Sequence, residues 1–142
     1  MSKKIDIPIK DYREILSTLN LEDISLLEGG MKLKKDKLGK QLELAIKETS
    51  KYEIENNNLI VNYKSVFKGL NEETKEAGVT ITAFHEIIYS LSGEKEITPE
   101  FMDKFTQYSI SITIWPFFRE FVQNMVSKAH LPPLTLPLKK LV

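Results

Sequence analysis

The sequence predicts an α+β fold in which an antiparallel sheet is built first and a long C-terminal helix packs on one face of it. Three observations lead there. Three successive segments between positions 42 and 89 alternate apolar and polar residues, the period-two pattern of strands that bury one face. Turn chemistry separates them, with Asn56-Asn57-Asn58 between the first two and the acidic, glycine-containing stretch 71–78 between the next two. Asparagine tolerates the left-handed conformations that tight hairpins require. Finally, Thr98-Pro99-Glu100 reads as a helix start, threonine as N-cap and proline at the first helical position, and opens a helically spaced run to Lys128.

Length and charge bound the rest. At 142 residues the chain is one domain, 1–142, with a modest core. Lys plus Arg and Asp plus Glu are 20 each and interspersed, so the net charge is zero. That balance argues against nucleic acid or an anionic membrane as the main partner. There is no cysteine, hence no disulfide framework, thiolate zinc site or thiol nucleophile, in keeping with a reducing compartment. The opening Met1-Ser-Lys-Lys-Ile-Asp-Ile-Pro lacks the apolar core of a signal peptide. The longest apolar-rich run, 110–122, is broken by Arg119 and Glu120 and falls well short of the roughly 20 residues that span a bilayer. The expectation is a soluble, cytoplasmic protein without membrane insertion.

In chain order, residues 1–20 read as an N-terminal helical extension. Ile9, Tyr12, Leu16 and Leu19 form its apolar stripe within 8–19. A strand over 24–33 contains Gly29-Gly30, which reads as a bulge or sharp bend. The lysine-rich connection 34–40 follows. In the next strand Leu42, Leu44, Ile46, Tyr52 and Ile54 share one parity, and in the one after it Leu59, Val61, Tyr63 and Phe67 do. The last carries Val79, Ile81, Ala83, Ile87 and Tyr89 on one face and Thr80, Thr82 and Glu86 on the other. Together they make a meander with one apolar face.

The helix is apolar on two sides. Phe101, Phe105, Tyr108, Ile112, Trp115, Phe118, Val122 and Met125 form one stripe; Met102, Ile110, Ile114, Phe117 and Phe121 lie on another. One sheet covers an arc of only about 100°, so the second side predicts packing against helices of other subunits. Pro116 removes an amide donor and predicts a kink or a loosened turn. Beyond it, 129–142 reads as an extended tail rich in proline and leucine.

The stretch Ile114-Trp-Pro-Phe-Phe-Arg-Glu-Phe-Val-Gln-Asn-Met-Val-Ser-Lys-Ala-His-Leu-Pro-Pro-Leu-Thr-Leu136 resembles the signature of the SecB family of protein-export chaperones. The matching positions are Trp115, Pro116, Phe117, Arg119, Glu120, Val122, Met125, Leu131, Pro132, Leu134 and Leu136. The upstream order of strands, hairpin and long helix is similar too. Ala129 stands where the family usually ends its helix with glycine, so the turn there is made differently. Pro137 comes one residue earlier than the family's second proline, and the family's further helix, which contacts the export motor SecA, has no counterpart before Val142. The resemblance implies a four-stranded antiparallel sheet with the helix on one face, assembled as a homotetramer, a dimer of dimers with helices inside. It also implies an ATP-independent holdase that binds unfolded polypeptide, needs no cofactor and catalyses nothing. Its clients are either exported proteins, with SecA as partner, or one dedicated labile partner such as an antitoxin, the version the sequence favours slightly.

On this reading the client-binding candidates are Leu38, Leu42, Leu44, Leu131, Leu134, Leu136, Leu138 and Leu141, and the oligomer-interface candidates are Trp115, Phe118, Arg119, Glu120, Val122 and Met125. Arg119 and Glu120 read equally as an intersubunit ion pair or as the helix's wet edge. His85 and His130 are far apart in sequence and lack a companion ligand pair, so neither a metal nor a catalytic site is expected. Lys34, Lys35, Lys37 and Lys40 read as a solvated run that could favour acidic client segments. The competing reading is a small-molecule-binding or enzymatic domain of the cone type, a curved sheet around a helix. It requires convergent polar groups on the inward face, where only Glu48, Ser65 and His85 break the apolar parity. A structural adaptor is a third reading.

Overall fold

The structure is a computed structural model that describes residues 7–132. A short helix α1 (Ile9–Leu16) leads into four long strands, β1 (Leu19–Leu33), β2 (Leu42–Glu55), β3 (Asn58–Asn71) and β4 (Ala77–Leu91). Then come α2 (Pro99–Phe105), a widened π turn (Thr106–Ile110) and α3 (Ser111–Lys128), which run on as one long helix. The strands form one antiparallel sheet in the order β1-β4-β3-β2. This is the expected architecture of a four-stranded sheet with a helix against one face.

Local chemistry accounts for each join. Asn56 and Asn57 both adopt positive φ (51° and 62°) in a two-residue turn between β2 and β3, the hairpin geometry whose twist matches the strands. At the β3–β4 turn the Asn71 side-chain oxygen accepts from the amides of Glu73 and Thr74, and Lys75 takes φ 63°. The link from β1 to β2 crosses the end of β4 and β3. Its Lys34 amide donates to Gly78 O, and Leu38 lies so close that a Cβ on Gly78 would sit 2.8 Å from Leu38 Cδ2. Thr98 caps α2 by accepting from the Phe101 amide, with Pro99 at the first helical position, as expected.

Several expectations need correction. The strand β1 begins at Leu19, which pairs with Leu91, rather than at Ile24. Gly29-Gly30 makes no bulge: both residues stay in register with Ala83 and Thr82, and the register shifts fall between Leu21 and Asp23 and between Leu26 and Glu28. Gly29 is required by close approach instead, because the Phe121 ring lies where its Cβ would be, 2.5 Å from Cζ. In α1 the buried residue is Ile15, whereas Ile9 and Leu16 are exposed. The helix α3 passes through Pro116 unbroken, and its irregular turn lies upstream at Thr106–Ile110.

That π turn decides which side of the helix is buried. Phe101, Phe105, Ile110, Ile114, Phe118, Val122 and Val126 are all buried, at steps of four except for one step of five across the turn. The extra residue shifts the phase. It brings Ile110 and Ile114 inward and leaves Tyr108, placed on the inner stripe by a regular period, exposed. Two core clusters result. One joins Leu59, Val61, Ile87 and Tyr89 to Phe101, Phe105 and Ile114; the other joins Phe67, Val79 and Ile81 to Trp115, Phe118 and Val122.

The helix ends without glycine. His130 takes the left-handed conformation (φ 57°), its amide donates to Ser127 O at 3.1 Å, and the Leu131 amide donates to Val126 O at 3.2 Å. This is the double closure of a Schellman motif, with histidine in the position that usually favours glycine. It turns Leu131 back onto the second core cluster.

Candidate functional site

Helix and sheet do not match in width. In register, the helix-side residues of β2 are Leu42, Leu44, Ile46, Glu48, Ser50, Tyr52 and Ile54. The long helix covers β3 and β4 but leaves β2 open. Its five large apolar residues keep 37 to 49% of their surface exposed, whereas their β3 neighbours Leu59, Val61 and Phe67 are buried. An uncovered apolar row on an edge strand is a liability unless something binds it.

At the Leu42 end this row deepens into a groove of about 360 Å³. Leu38 from the crossover link, Leu42 and Leu44 from β2, Phe67 from β3, and Val126 and Leu131 from the helix end line it. Four of the client-binding candidates, Leu38, Leu42, Leu44 and Leu131, thus meet in one place, brought there by the crossover over Gly78 and by the His130 turn. Leu134, Leu136, Leu138 and Leu141 lie outside the described residues. Sequence reasoning missed Ile46, Tyr52 and Ile54 as exposed members of the row, although their shared parity with Leu42 and Leu44 was the available signal.

The interface candidates are redistributed. Trp115, Phe118 and Val122 are buried against the chain's own sheet and are not available on a second helix face. Met125 is partly buried against the same cluster, Glu120 is exposed and accepts from Asn124 Nδ2 at 2.8 Å, and Arg119 is half-buried. Arg119 Nε is shut off from solvent with no hydrogen-bond partner among the described residues. Phe117 and Tyr108 are the large apolar side chains that the helix leaves exposed.

The polar groups that break the apolar parity gather between the two core clusters. Tyr63 donates to the Glu48 carboxylate, and Ser111 from the helix bonds to the same phenol oxygen. Burial, reinforced by that carboxylate, pushes the Tyr63 phenol well above its ordinary range. His85, only 3% exposed, lies next to Tyr63 in register and edge-on to Phe117, and burial pushes its imidazole below the usual range. Its Nδ1 has no hydrogen-bond partner among the described residues. Tyr63 and Ser111 spend their polar atoms internally, and the hollow bordering His85 and Tyr63 is lined by Lys51, Lys64 and Phe84 of the opposite sheet face. The seam is therefore a packed interior rather than an open pocket. Among the described residues no group of three or more His, Cys, Asp or Glu is placed to hold a metal ion, and no helix is long and apolar enough to cross a membrane.

No family model matches the sequence, and no curated protein matches it. A solved structure does match: the Mycobacterium tuberculosis SecB-like chaperone in complex with a peptide from the HigA1 antitoxin. The two superpose with a TM-score of 0.80 at 16% sequence identity, over 94% of this chain and 99% of the other. The chain has a SecB-like fold. The family resemblance thus holds at the level of architecture, and within the SecB-like fold the uncovered β2 row and its groove are one exposed apolar feature, beside Leu21, Leu26 and Leu27 on the other edge strand, β1. A protein of unknown function from Streptococcus agalactiae also aligns, with a TM-score of 0.40 at 10% identity over 84% of this chain and 96% of that one. That likeness is too distant to bear on the fold.

Proposed function

We propose that this protein is an ATP-independent holdase that binds nonnative polypeptide along β2 and in the groove beside it, and that catalyses nothing. The observation that carries the reading is the β2 row, five large apolar side chains left open beside a well-packed core. A holdase recognises apolarity and extended backbone rather than one sequence, and an edge strand with alternating apolar residues offers both. Leu38, Leu42, Leu44 and Leu131 are the anchors. The tail candidates Leu134, Leu136, Leu138 and Leu141 extend the proposal beyond the described residues.

The favoured client is a single labile partner of the antitoxin kind, bound in the cytoplasm. Its support is the shared fold with a chaperone bound to an antitoxin peptide. Export clients delivered to SecA are the competing assignment. Assembly as a dimer of dimers is part of the same reading. It rests on exposed Phe117 and Tyr108 and on the half-buried Arg119 of the helix rather than on Trp115, Phe118 and Val122.

Light scattering tests the proposal. Several unrelated denatured proteins are diluted into buffer with and without the purified protein, and its size is measured in parallel. Suppression of aggregation at near-stoichiometric ratio across clients supports a general holdase. Protection confined to one co-encoded partner supports the dedicated version. Failure with both would sink the reading.

A further inference from the structure

The sheet face turned away from the helix is not uniformly polar. In register across β1, β4, β3 and β2, its successive rows are Lys32–Thr80–Lys68–Ala45, Gly30–Thr82–Val66–Lys47, Glu28–Phe84–Lys64–Thr49 and Ser25–Glu86–Asn62–Lys51. The next two are Asp23–Ile88–Ile60–Glu53 and Asn20–Ser90–Asn58–Glu55. Five exposed lysines, at 32, 47, 51, 64 and 68, therefore occupy one half of the face against Glu28 and Glu86, with Glu43 at its outer end already paired to Lys75, while the other half carries Asp23, Glu53 and Glu55 and no lysine. The chain's zero net charge conceals this separation.

None of the five lysines makes an ion pair among the described residues, where Lys37, Lys75 and Lys95 pair with Glu76, Glu43 and Glu14. The basic half is also shaped. Two hollows meet at Glu28 and Phe84: one of about 440 Å³ bordered by Lys32 and Lys68, the other of about 670 Å³ bordered by Lys51 and Lys64. The Lys64 ammonium stands 5.5 Å from the Phe84 ring centre, on the ridge between them.

We propose that this basic half-face is a second binding surface, separated from the β2 row by the thickness of the sheet, that docks a short acidic polypeptide segment. Carboxylates entering the two hollows would meet a lysine pair in each, and the segment's apolar atoms would rest on Phe84 and Val66. Extent argues for a peptide over a nucleic acid. Same-face rows repeat about every 6.7 Å along a strand, so the basic half extends for only about 20 Å. A longer polyanion would run onto Asp23, Glu53 and Glu55, and a chain of zero net charge supplies no long-range attraction to offset that.

Fluorescence anisotropy with the full-length protein tests the surface, using a fluorescein-labelled oligo-glutamate peptide and, in parallel, an oligo-glutamine peptide, a single-stranded DNA oligonucleotide and an apolar leucine-rich peptide. The acidic peptide should bind at low salt, the glutamine peptide should not, and binding should fall about tenfold or more between 50 mM and 500 mM salt. Combined Lys47→Glu, Lys64→Glu and Lys68→Glu should abolish binding of the acidic peptide while leaving the apolar peptide's affinity unchanged. The milder pair Lys51→Gln and Lys68→Gln should weaken it, with the circular dichroism spectrum as the check on folding. Absence of binding to the acidic peptide, binding undiminished in both variants, or tighter binding of the DNA would each overturn the proposal. Failure of the apolar peptide alone would strike at the holdase reading and leave this surface standing.

Discussion

Tyr63 donates its phenolic hydrogen to the Glu48 carboxylate and so ties β3 to the edge strand β2 where that strand's inward row turns from apolar to polar. The bond and the surrounding burial hold the phenol protonated well above its ordinary range, and burial pushes the Tyr89 phenol up to about 12. An unfolded tyrosine titrates near 10. The stabilisation from both groups is thus fully present below pH about 10 and is lost as pH rises through the folded values. Urea midpoints measured from pH 8 to 11.5 should fall steeply above 10, and Tyr63→Phe or Tyr89→Phe should flatten the fall. An unaltered slope in both variants would show that these phenols are not its source.

His85 sets the acid limb. Burial lowers its imidazole from the ordinary value of 6.5, so the neutral form is the one the fold accommodates. Its stabilisation is complete above pH about 6.5 and is lost as pH falls through the folded value. Thermal denaturation at pH 7.5 and at pH 5 should show a lower midpoint in acid, with a smaller difference in His85→Leu.

Groove and core should respond to substitution in opposite ways. Leu44 is 46% exposed, so Leu44→Asp should cost only about 1 kcal/mol of stability, mostly from the poor fit of aspartate in a strand, yet sharply weaken binding of an unfolded client. Phe67, wholly buried beneath the same groove, should lose about 3–5 kcal/mol as Phe67→Ala. Denaturation curves read beside client anisotropy would separate the two. Unchanged client affinity in Leu44→Asp would remove that leucine from the site.

The end of the helix offers a gain, and its contact with β1 a loss. His130 pays for a left-handed backbone that glycine adopts without strain, so His130→Gly should stabilise by about 0.5–1 kcal/mol. Gly29→Val should destabilise by about 1–3 kcal/mol because its side chain meets the Phe121 ring. In a double-mutant cycle Phe121→Leu should recover part of that loss. Additive effects would mean that ring and glycine do not constrain each other.

Much of the fold was legible because period-two alternation survives whatever packs on it: β2, β3 and β4 follow from parity, and the turn between β2 and β3 from its asparagines. Coverage was not legible. Leu44 and Phe67 show the same alternation, yet only a helix of limited width decides that one is open and the other buried. The helix's inner stripe was misread because a single π turn adds a residue that no regular period contains, exchanging Tyr108 for Ile110 and Ile114. Gly29 carried a real constraint, but its cause was a ring from residue 121, invisible along the chain. For the groove, Leu38 falls in the connection 34–40 and Leu131 in the tail 129–142, both legible as segments outside the regular elements, whereas the crossover and the His130 turn that unite them are tertiary facts.

The strand order has a consequence in time. Residues paired between β1 and β4 lie from 46 (Leu33 with Val79) to 72 (Leu19 with Leu91) positions apart. Synthesis at about 5–20 residues per second therefore leaves β1 without its neighbour for several seconds after it leaves the ribosome. Throughout that interval Leu21, Leu26 and Leu27, still largely exposed in the finished sheet, belong to an unpaired nascent strand. On the proposed function, each newly made copy passes through a stage in which it is itself a substrate for copies already folded.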